Sequence, residues 1–280
     1  MERRASYPTD LTDEQWSRLE SLIPAPKAGG RPPTYERREV VNAVLYQLRG
    51  GAAWRMMPHD LPPWGITYHY WRAWRKDGTW ERAHDTLRSQ GRLAAGRNAQ
   101  PSAGIVDSQS VKTTDRGGVH GYDAGKKING RKRHVLVDTL GLVWLVVVTA
   151  ASTQDRDGAR TLLAVLATRM RRLRLIWADG GYAGALVGWV ASLRTWGKVR
   201  LELVARNPQA KGFQKLPHRW IVERTFGWLH RWRRLSKDYE HLTDTSECTI
   251  RVAMIYLMVR RLAPQKNRRR ERRSRRPRLI

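Results

Sequence analysis

The sequence predicts a two-part α/β protein: a small helical unit of helix-turn-helix character, then an α/β domain with a mixed sheet. Three observations carry this reading. The first ninety or so residues place apolar side chains at helical spacing, interrupted by breakers. From residue 104 onward, short apolar runs that end in turns alternate with helical stretches. Between the two, Gly91 to Gly104 is small, polar and basic with Pro101 inside it, the composition of a linker. The 280 residues therefore divide into a helical domain at 1–90, a linker at 91–103, an α/β domain with a C-terminal helix at 104–263, and an Arg-rich tail at 264–280.

Taken in order, the first helix starts at Thr12, whose spacing to Gln15 is that of a capping box. It carries Trp16, Leu19, Leu22 and Ile23 at helical spacing. Lys27 to Pro33 is a breaker. Thr34 can cap a second helix with Val40, Val41, Val44, Leu45 and Leu48 on one face, ended by Gly50-Gly51. After Pro62-Pro63 a third helix runs through Ile66, Tyr70, Trp71 and Trp74, with Arg72, Arg75 and Lys76 near its end. A short fourth follows from Thr79. A basic, aromatic third helix suits a helix-turn-helix-like unit. A bundle that only supports the rest of the chain or a dimer interface has the same pattern.

In the second part, Gly104 to Ser108 reads as a short buried strand, and a Gly-rich, basic stretch follows to Gly130. His134 to Asp138 and Leu142 to Thr149 form a strand pair around a turn at 139–141. Next come a helix at 157–172, a strand at 173–178 that ends at Asp179, a helix through Val187, Val190 and Leu193, and a strand at 199–205. A helix at 217–234 and an apolar helix at 249–262 complete the domain. Strands in series before alternating helices and strands predict a mixed sheet.

Charge narrows the partners. Lys and Arg total 53 against 25 acidic residues, a formal net charge of +28. Such a chain repels itself unless a polyanion neutralises it, and nucleic acid is the partner whose condensed counterions make that favourable. The tail from Lys266 to Arg278 is nearly all Arg and is expected to be disordered until it meets such a partner. No apolar run is long enough to span a bilayer, and the opening residues lack the apolar core of a signal peptide. The expectation is an intracellular protein with no membrane partner. The single cysteine, Cys248, excludes an intramolecular disulfide and a cysteine-built zinc cluster.

Three acids stand out against this basic background. Asp107 and Asp179 follow apolar strands, where a carboxylate projects into the crevice in which open α/β sheets place ligands. Glu223 lies in a helical stretch beside Trp220, Val222 and Phe226, near a buried face where an acid is costly without a cation. Converging carboxylates in a basic protein suit hard divalent ions, Mg²⁺ or Mn²⁺. Two such ions roughly 3.5–4 Å apart clamp an in-line phosphoryl displacement. Taken singly, each acid could instead cap a turn or pair with a neighbouring Arg. Asp138 reads as a turn residue, Asp155 and Asp157 as helix caps, and His134 and His230 as structural histidines.

The stretches IVDSQSVKTT (105–114), GYDAGKKINGRKRHVLVDTLGL (121–142), WADGGY (177–182) and HRWIVERTFGWLHRWRRLSKDYE (218–240) resemble bacterial insertion-sequence transposases of the insertion-sequence-five type. LTDEQWSRLESLIP (11–24) and GGAAWRMMPHDLPPWGITYHYWRAW (50–74) are similar to their leader domain, so the resemblance covers almost the whole chain. It implies an RNase H-like catalytic core with a DDE triad that cuts at the inverted repeats of its own element. Carried over by position, the triad and its metal ligands fall on Asp107, Asp179 and Glu223. Arg219, one turn before the glutamate, matches the arginine of the family signature. The signature expects Tyr where Leu216 stands and Lys where His230 stands, and Arg231, Arg233 and Arg234 are expected to grip DNA in their place.

The resemblance also implies the reaction. Water activated by bound metal cuts a strand at the element end, and the freed 3′-OH then attacks target DNA, with no protein nucleophile. Lys126, Lys127, Arg131 and Lys132 are expected to contact the DNA backbone, as are Arg72, Arg75, Lys76 and Arg219. The expected partners are double-stranded DNA, both element ends and target, and a second copy of the chain in a homodimer on DNA, with no small-molecule substrate. The expected location is the bacterial cytoplasm at the nucleoid. Two rivals remain open: a related metal-dependent nuclease that cuts without joining, and a DNA-binding regulator of transposase descent that has lost catalysis.

Overall fold

The computed structural model describes residues 4–25, 33–115, 117–193, 198–204 and 217–264. Most of the 27–33 breaker, Leu216 and the Arg-rich tail lie outside the described residues.

Four helices open the chain: α1 (Asp13–Leu19), α2 (Arg37–Gly50), α3 (Trp64–Lys76) and α4 (Thr79–Ala94). The capping box forms, with the Thr12 hydroxyl accepting from Gln15 N–H and the Gln15 side chain accepting from Thr12 N–H, each at 3.2 Å. Gln15 is fully buried and its amide donates to the Ala263 carbonyl at 3.1 Å, tying the start of the chain to the last helix. α4 runs to Ala94, into the segment read as linker from residue 91. Its Arg92 holds the helix end by donating to the Asn98 carbonyl at 2.8 Å.

Six strands follow among the described residues: β1 (Ala103–Lys112), β2 (Gly121–Asp123), β3 (Ile128–Asp138), β4 (Val143–Ala150), β5 (Leu175–Ala178) and β6 (Arg200–Leu203). The helices of this part are α5 (Asp155–Leu163), α6 (Leu166–Arg169), α7 (Ala185–Ser192), α8 (Arg219–His230) and α9 (Thr243–Leu262). The strands form one mixed sheet. β3 lies antiparallel between β1 on one edge and β4 and then β2 along the other, while β5 joins β1 and β6 joins β5 in parallel. The β3–β4 turn needs Gly141, whose φ of +80° only glycine adopts without strain.

Helices cover both faces. Val106, Leu136 and Leu145 pack with Leu162 and Leu163 of α5 and Leu186 and Val190 of α7. Ile105, Val135 and Val137 face the other way, onto α8, α9 and the N-terminal helices. That second core is continuous from Leu19 of α1 through Trp71 and Trp80 to Val259 of α9. A buried polar seam reinforces it, because Arg92 of α4 pairs with the fully buried Asp138 at 2.5 Å. Arg88 lies over the Trp144 ring at 3.6 Å.

Candidate active site

β1 runs through Asp107 rather than ending at it. Antiparallel pairing with β3 carries the strand on to Lys112, so Asp107 sits mid-strand. Side chains alternate along a strand. Asp107 therefore shares the α8 face with Ile105, and Ser108 points to the α5 face.

The parallel register with β5 brings the second aspartate alongside. Ile105 is opposite Trp177, and two residues further along each chain are Asp107 and Asp179. Asp179 caps a 3₁₀ turn at Gly180–Tyr182, accepting from Gly181 N–H at 2.9 Å. Asp107 accepts from Ser108 N–H at 2.7 Å. One guanidinium faces both carboxylates, with Arg219 Nη2 3.7 Å from Asp107 Oδ2 and 3.3 Å from Asp179 Oδ2. Burial pushes the Asp107 carboxyl up to about 6. The Asp179 charge adds to the rise, while Ser108 N–H and Arg219 oppose it.

Glu223 is exposed, not set against a buried face. Among the described residues no three acidic, histidine or cysteine side chains close together into a metal-holding group. Its place on α8 is nonetheless defined. Residues 219, 223 and 230 fall within about 40° of one another around a helix of 3.6 residues per turn. Arg219 reaches Asp107, and His230 Nε2 lies 3.0 Å from Gln109 Nε2. Contacts to β1 thus bracket Glu223 on its own stripe of the helix.

The donor set suits a hard divalent cation. Two carboxylates already share one positive group, every donor is oxygen, and Asp107 is a desolvated acid whose ionised form Arg219 and Ser108 N–H compensate only in part.

A second network lies through the sheet. Ser108 Oγ donates to Asp155 at 2.7 Å, and Lys126 Nζ donates to Ser108 O and Oγ at 3.2 and 3.1 Å. Lys132 Nζ bridges Asp123 at 3.1 Å and Asp155 at 3.0 Å. Hydrogen bonds from Ser110, Lys126 N–H and Lys132 outweigh burial at Asp123 and hold its carboxyl down to about 2. Asp155 is thus no helix cap: Gln154 occupies the cap position, without a side-chain capping bond. His134 is fully buried, paired with Thr149 at 3.0 Å and pushed down to about 4 by that burial, as a structural histidine should be.

The expected DNA contacts separate by exposure. Arg72, Lys76, Lys126, Lys127, Arg231 and Arg233 are exposed. Arg75 is half-buried and paired with Asp244. Arg131, Lys132 and Arg234 correct the expectation, because all three are buried. Arg131 is spent on Asp238 and the carbonyls of Val119, Glu240 and His241, Lys132 on its two aspartates, and Arg234 on Glu240 at 2.7 Å. A cation so enclosed does not reach a phosphate. Sequence reasoning missed Ser108 and Tyr182 around the aspartates, to which only their place beside Asp107 and Asp179 in the quoted motifs pointed, and it read Asp155 as a helix cap, with no local signal for its bond to Ser108.

Residues 98–258 match the family model described as "Transposase DDE domain", and residues 11–84 match one described as "Putative transposase of IS4/5 family". Among similar proteins, "Insertion element IS402 uncharacterized 16.2 kDa protein" of Burkholderia cepacia is 31% identical over 114 residues, covering 38% of this chain and 76% of that one. "Putative transposase for insertion sequence element IS402", from the same organism, is 29% identical over 122 residues, 41% of this chain and 56% of that one. "Uncharacterized protein y4sN" of Sinorhizobium fredii is 29% identical over 68 residues, 24% of this chain and 54% of that one. The chain thus spans little more than half the length of two of these relatives. Asp107, Asp179 and Glu223 all lie within the matched DDE segment. No helix among the described residues is long and apolar enough to cross a membrane.

Proposed function

The chain belongs to the transposase DDE-domain family, and from that premise we propose that it binds the terminal inverted repeats of an insertion sequence and catalyses strand cleavage and strand transfer into target DNA. The observation that carries the proposal is the convergence of Asp107 and Asp179, from neighbouring parallel strands, on one guanidinium. A sheet of four strands in antiparallel pairing, β1 to β4, extended by the parallel β5 and β6, with helices on both faces, supports an RNase H-like core at 104–263. The helices before it, with the exposed Arg72 and Lys76 on α3, support a helix-turn-helix-like DNA-binding unit within 1–90.

In this reading Asp107 and Asp179 would hold Mg²⁺ or Mn²⁺, with Glu223 as the third carboxylate, and two such ions would supply activation of the attacking oxygen and charge stabilisation of the leaving one. Arg219 keeps the two aspartates facing one another and brings positive charge to the reacting phosphodiester. Lys126, exposed and bonded to Ser108, and Lys127 beside it attract the backbone without reading sequence. Ser108 is not a nucleophile. Its hydroxyl donates to Asp155, and no histidine bonds it among the described residues. The first displacement is hydrolysis at the element end. In the second, the released 3′-OH attacks a target phosphodiester and expels a new 3′-OH. A homodimer holding both ends completes the proposal.

The test is cleavage of a labelled duplex carrying the element end, with DNA binding measured alongside. Asp107→Asn, Asp179→Asn and Glu223→Gln should each abolish cleavage and leave binding nearly intact. Normal cleavage by any of the three would remove that residue from the trio.

A further inference from the structure

Arg219 and Glu223 are placed by the first turn of α8, and that turn starts in an unusual way. Its cap residue, His218, makes no side-chain capping bond and has φ 65° and ψ −30°. A residue with a side chain enters that region only where its surroundings hold it there. Its ring stacks on the indole of Trp177, the two rings 3.9 Å apart and 9° from parallel. Trp177 lies on β5 two residues before Asp179, and its register partner Ile105 lies two residues before Asp107. The stack therefore ties the helix start to the strand pair that carries both aspartates. The rest of α8 is anchored independently. Ile221, Val222, Phe226 and Leu229 are buried, and Thr225 Oγ1 donates to the Gly141 carbonyl at 2.8 Å.

We propose that Trp177 and His218 form an aromatic clamp that sets the direction of the first turn of α8, and through it the placement of Arg219 and Glu223 against Asp107 and Asp179. Both are positioning residues, neither touching the reacting atoms. Only the catalytic consequence of the clamp rests on the transposase reading.

Three variants of the full chain separate the possibilities. His218→Phe keeps a flat ring for the stack. His218→Ala removes the ring and leaves the strained backbone. His218→Gly removes both ring and strain. The Ala and Gly variants should lose about 10–100-fold in cleavage turnover at saturating DNA, as a displacement of the order of 1 Å does, with DNA affinity unchanged. The Phe variant should stay close to wild type. Amide hydrogen exchange over 219–223 should quicken in the Ala and Gly variants and not in Phe. The Gly variant should melt no lower than the Ala variant. If the stack were merely structural, the Gly variant would be as active as wild type.

Wild-type turnover in the Ala and Gly variants, unchanged exchange over 219–223, or a Phe variant as impaired as Ala would each overturn the clamp. Exchange needs no cleavage, so it tests the clamp even if wild type fails to cut DNA. That last result would overturn the transposase reading instead.

Discussion

Asp107→Asn should stabilise the metal-free protein while destroying its function. The Asp107 side chain is 15% exposed and its carboxyl is pushed from 3.8 up to about 6, with burial as the largest cause. Each pH unit of such a shift is worth about 1.4 kcal/mol, so the ionised carboxylate costs the fold roughly 3 kcal/mol at neutral pH. Asparagine removes that cost, keeps an oxygen for Ser108 N–H, and leaves Arg219 its partner Asp179. In chelator at neutral pH the thermal midpoint should rise by roughly 5–10 °C. The sign with pH follows from the raised folded value. The penalty is complete above about 6, where Asp107 is ionised in both states, and disappears below 3.8, where it is protonated in both. The advantage of the variant should therefore fade as pH falls through that window. Mn²⁺ at a thousand times its Kd should reverse the order, since it stabilises by about 4.1 kcal/mol and the variant has lost a ligand. Calorimetry or denaturant titration across pH, with and without Mn²⁺, reads all of this. A variant less stable than wild type in chelator would show that the Asp107 charge costs the fold nothing, and one that gains as much from Mn²⁺ as wild type does would show that Asp107 holds no metal.

Other perturbations test the scaffold and the DNA surface. Arg92→Met leaves the fully buried Asp138 without its 2.5 Å partner and should destabilise the protein by about 3–5 kcal/mol in chemical denaturation. Arg72→Ala and Lys76→Ala should each shallow the salt dependence of DNA binding by about 0.9 in log–log slope. Changing the enclosed Lys132 should cost stability and leave that slope alone. An equal effect on the slope from Lys132 would put the phosphate contacts elsewhere. Among the described residues the buried Tyr182 hydroxyl has only the Ser108 side chain nearby and no well-aligned hydrogen bond, so Tyr182→Phe should be neutral or stabilising by about 1 kcal/mol, and a loss of that size in thermal unfolding would reveal a bond to Ser108.

Much of the architecture was legible because local chemistry and long-range packing agree. Thr12 and Gln15 announce a capping box and make one. The helical spacing of Val40, Val41, Val44, Leu45 and Leu48 marks the buried face of α2. Where reading failed, a distant partner had changed the meaning of a polar residue. Ser108, Gln109 and Ser110 look like the end of a strand, yet β3 pairs across all of them and Asp155, His230 and Asp123 take up their side chains. Arg131 and Lys132 in the basic run at 131–133 look like DNA contacts. The run lies in a central strand instead, where Arg131 and Lys132 meet acids and Arg133 donates to the Leu235 carbonyl at 2.8 Å. The candidate site divides the same way. Asp107 and Asp179 were visible as acids beside apolar strands. The Trp177–His218 stack was not, because neither residue carries a local signal for a contact made across the fold.

Strand transfer is decided by presenting a pre-cut, labelled element end with a free 3′-OH to a supercoiled target under Mg²⁺. The label should become joined to the target in wild type, with no joining in chelator or in Asp107→Asn. Cutting of an intact end without joining would mark a nuclease, and tight binding with neither cutting nor joining under Mg²⁺ or Mn²⁺ would mark a regulator; in either case the chain is no strand transferase.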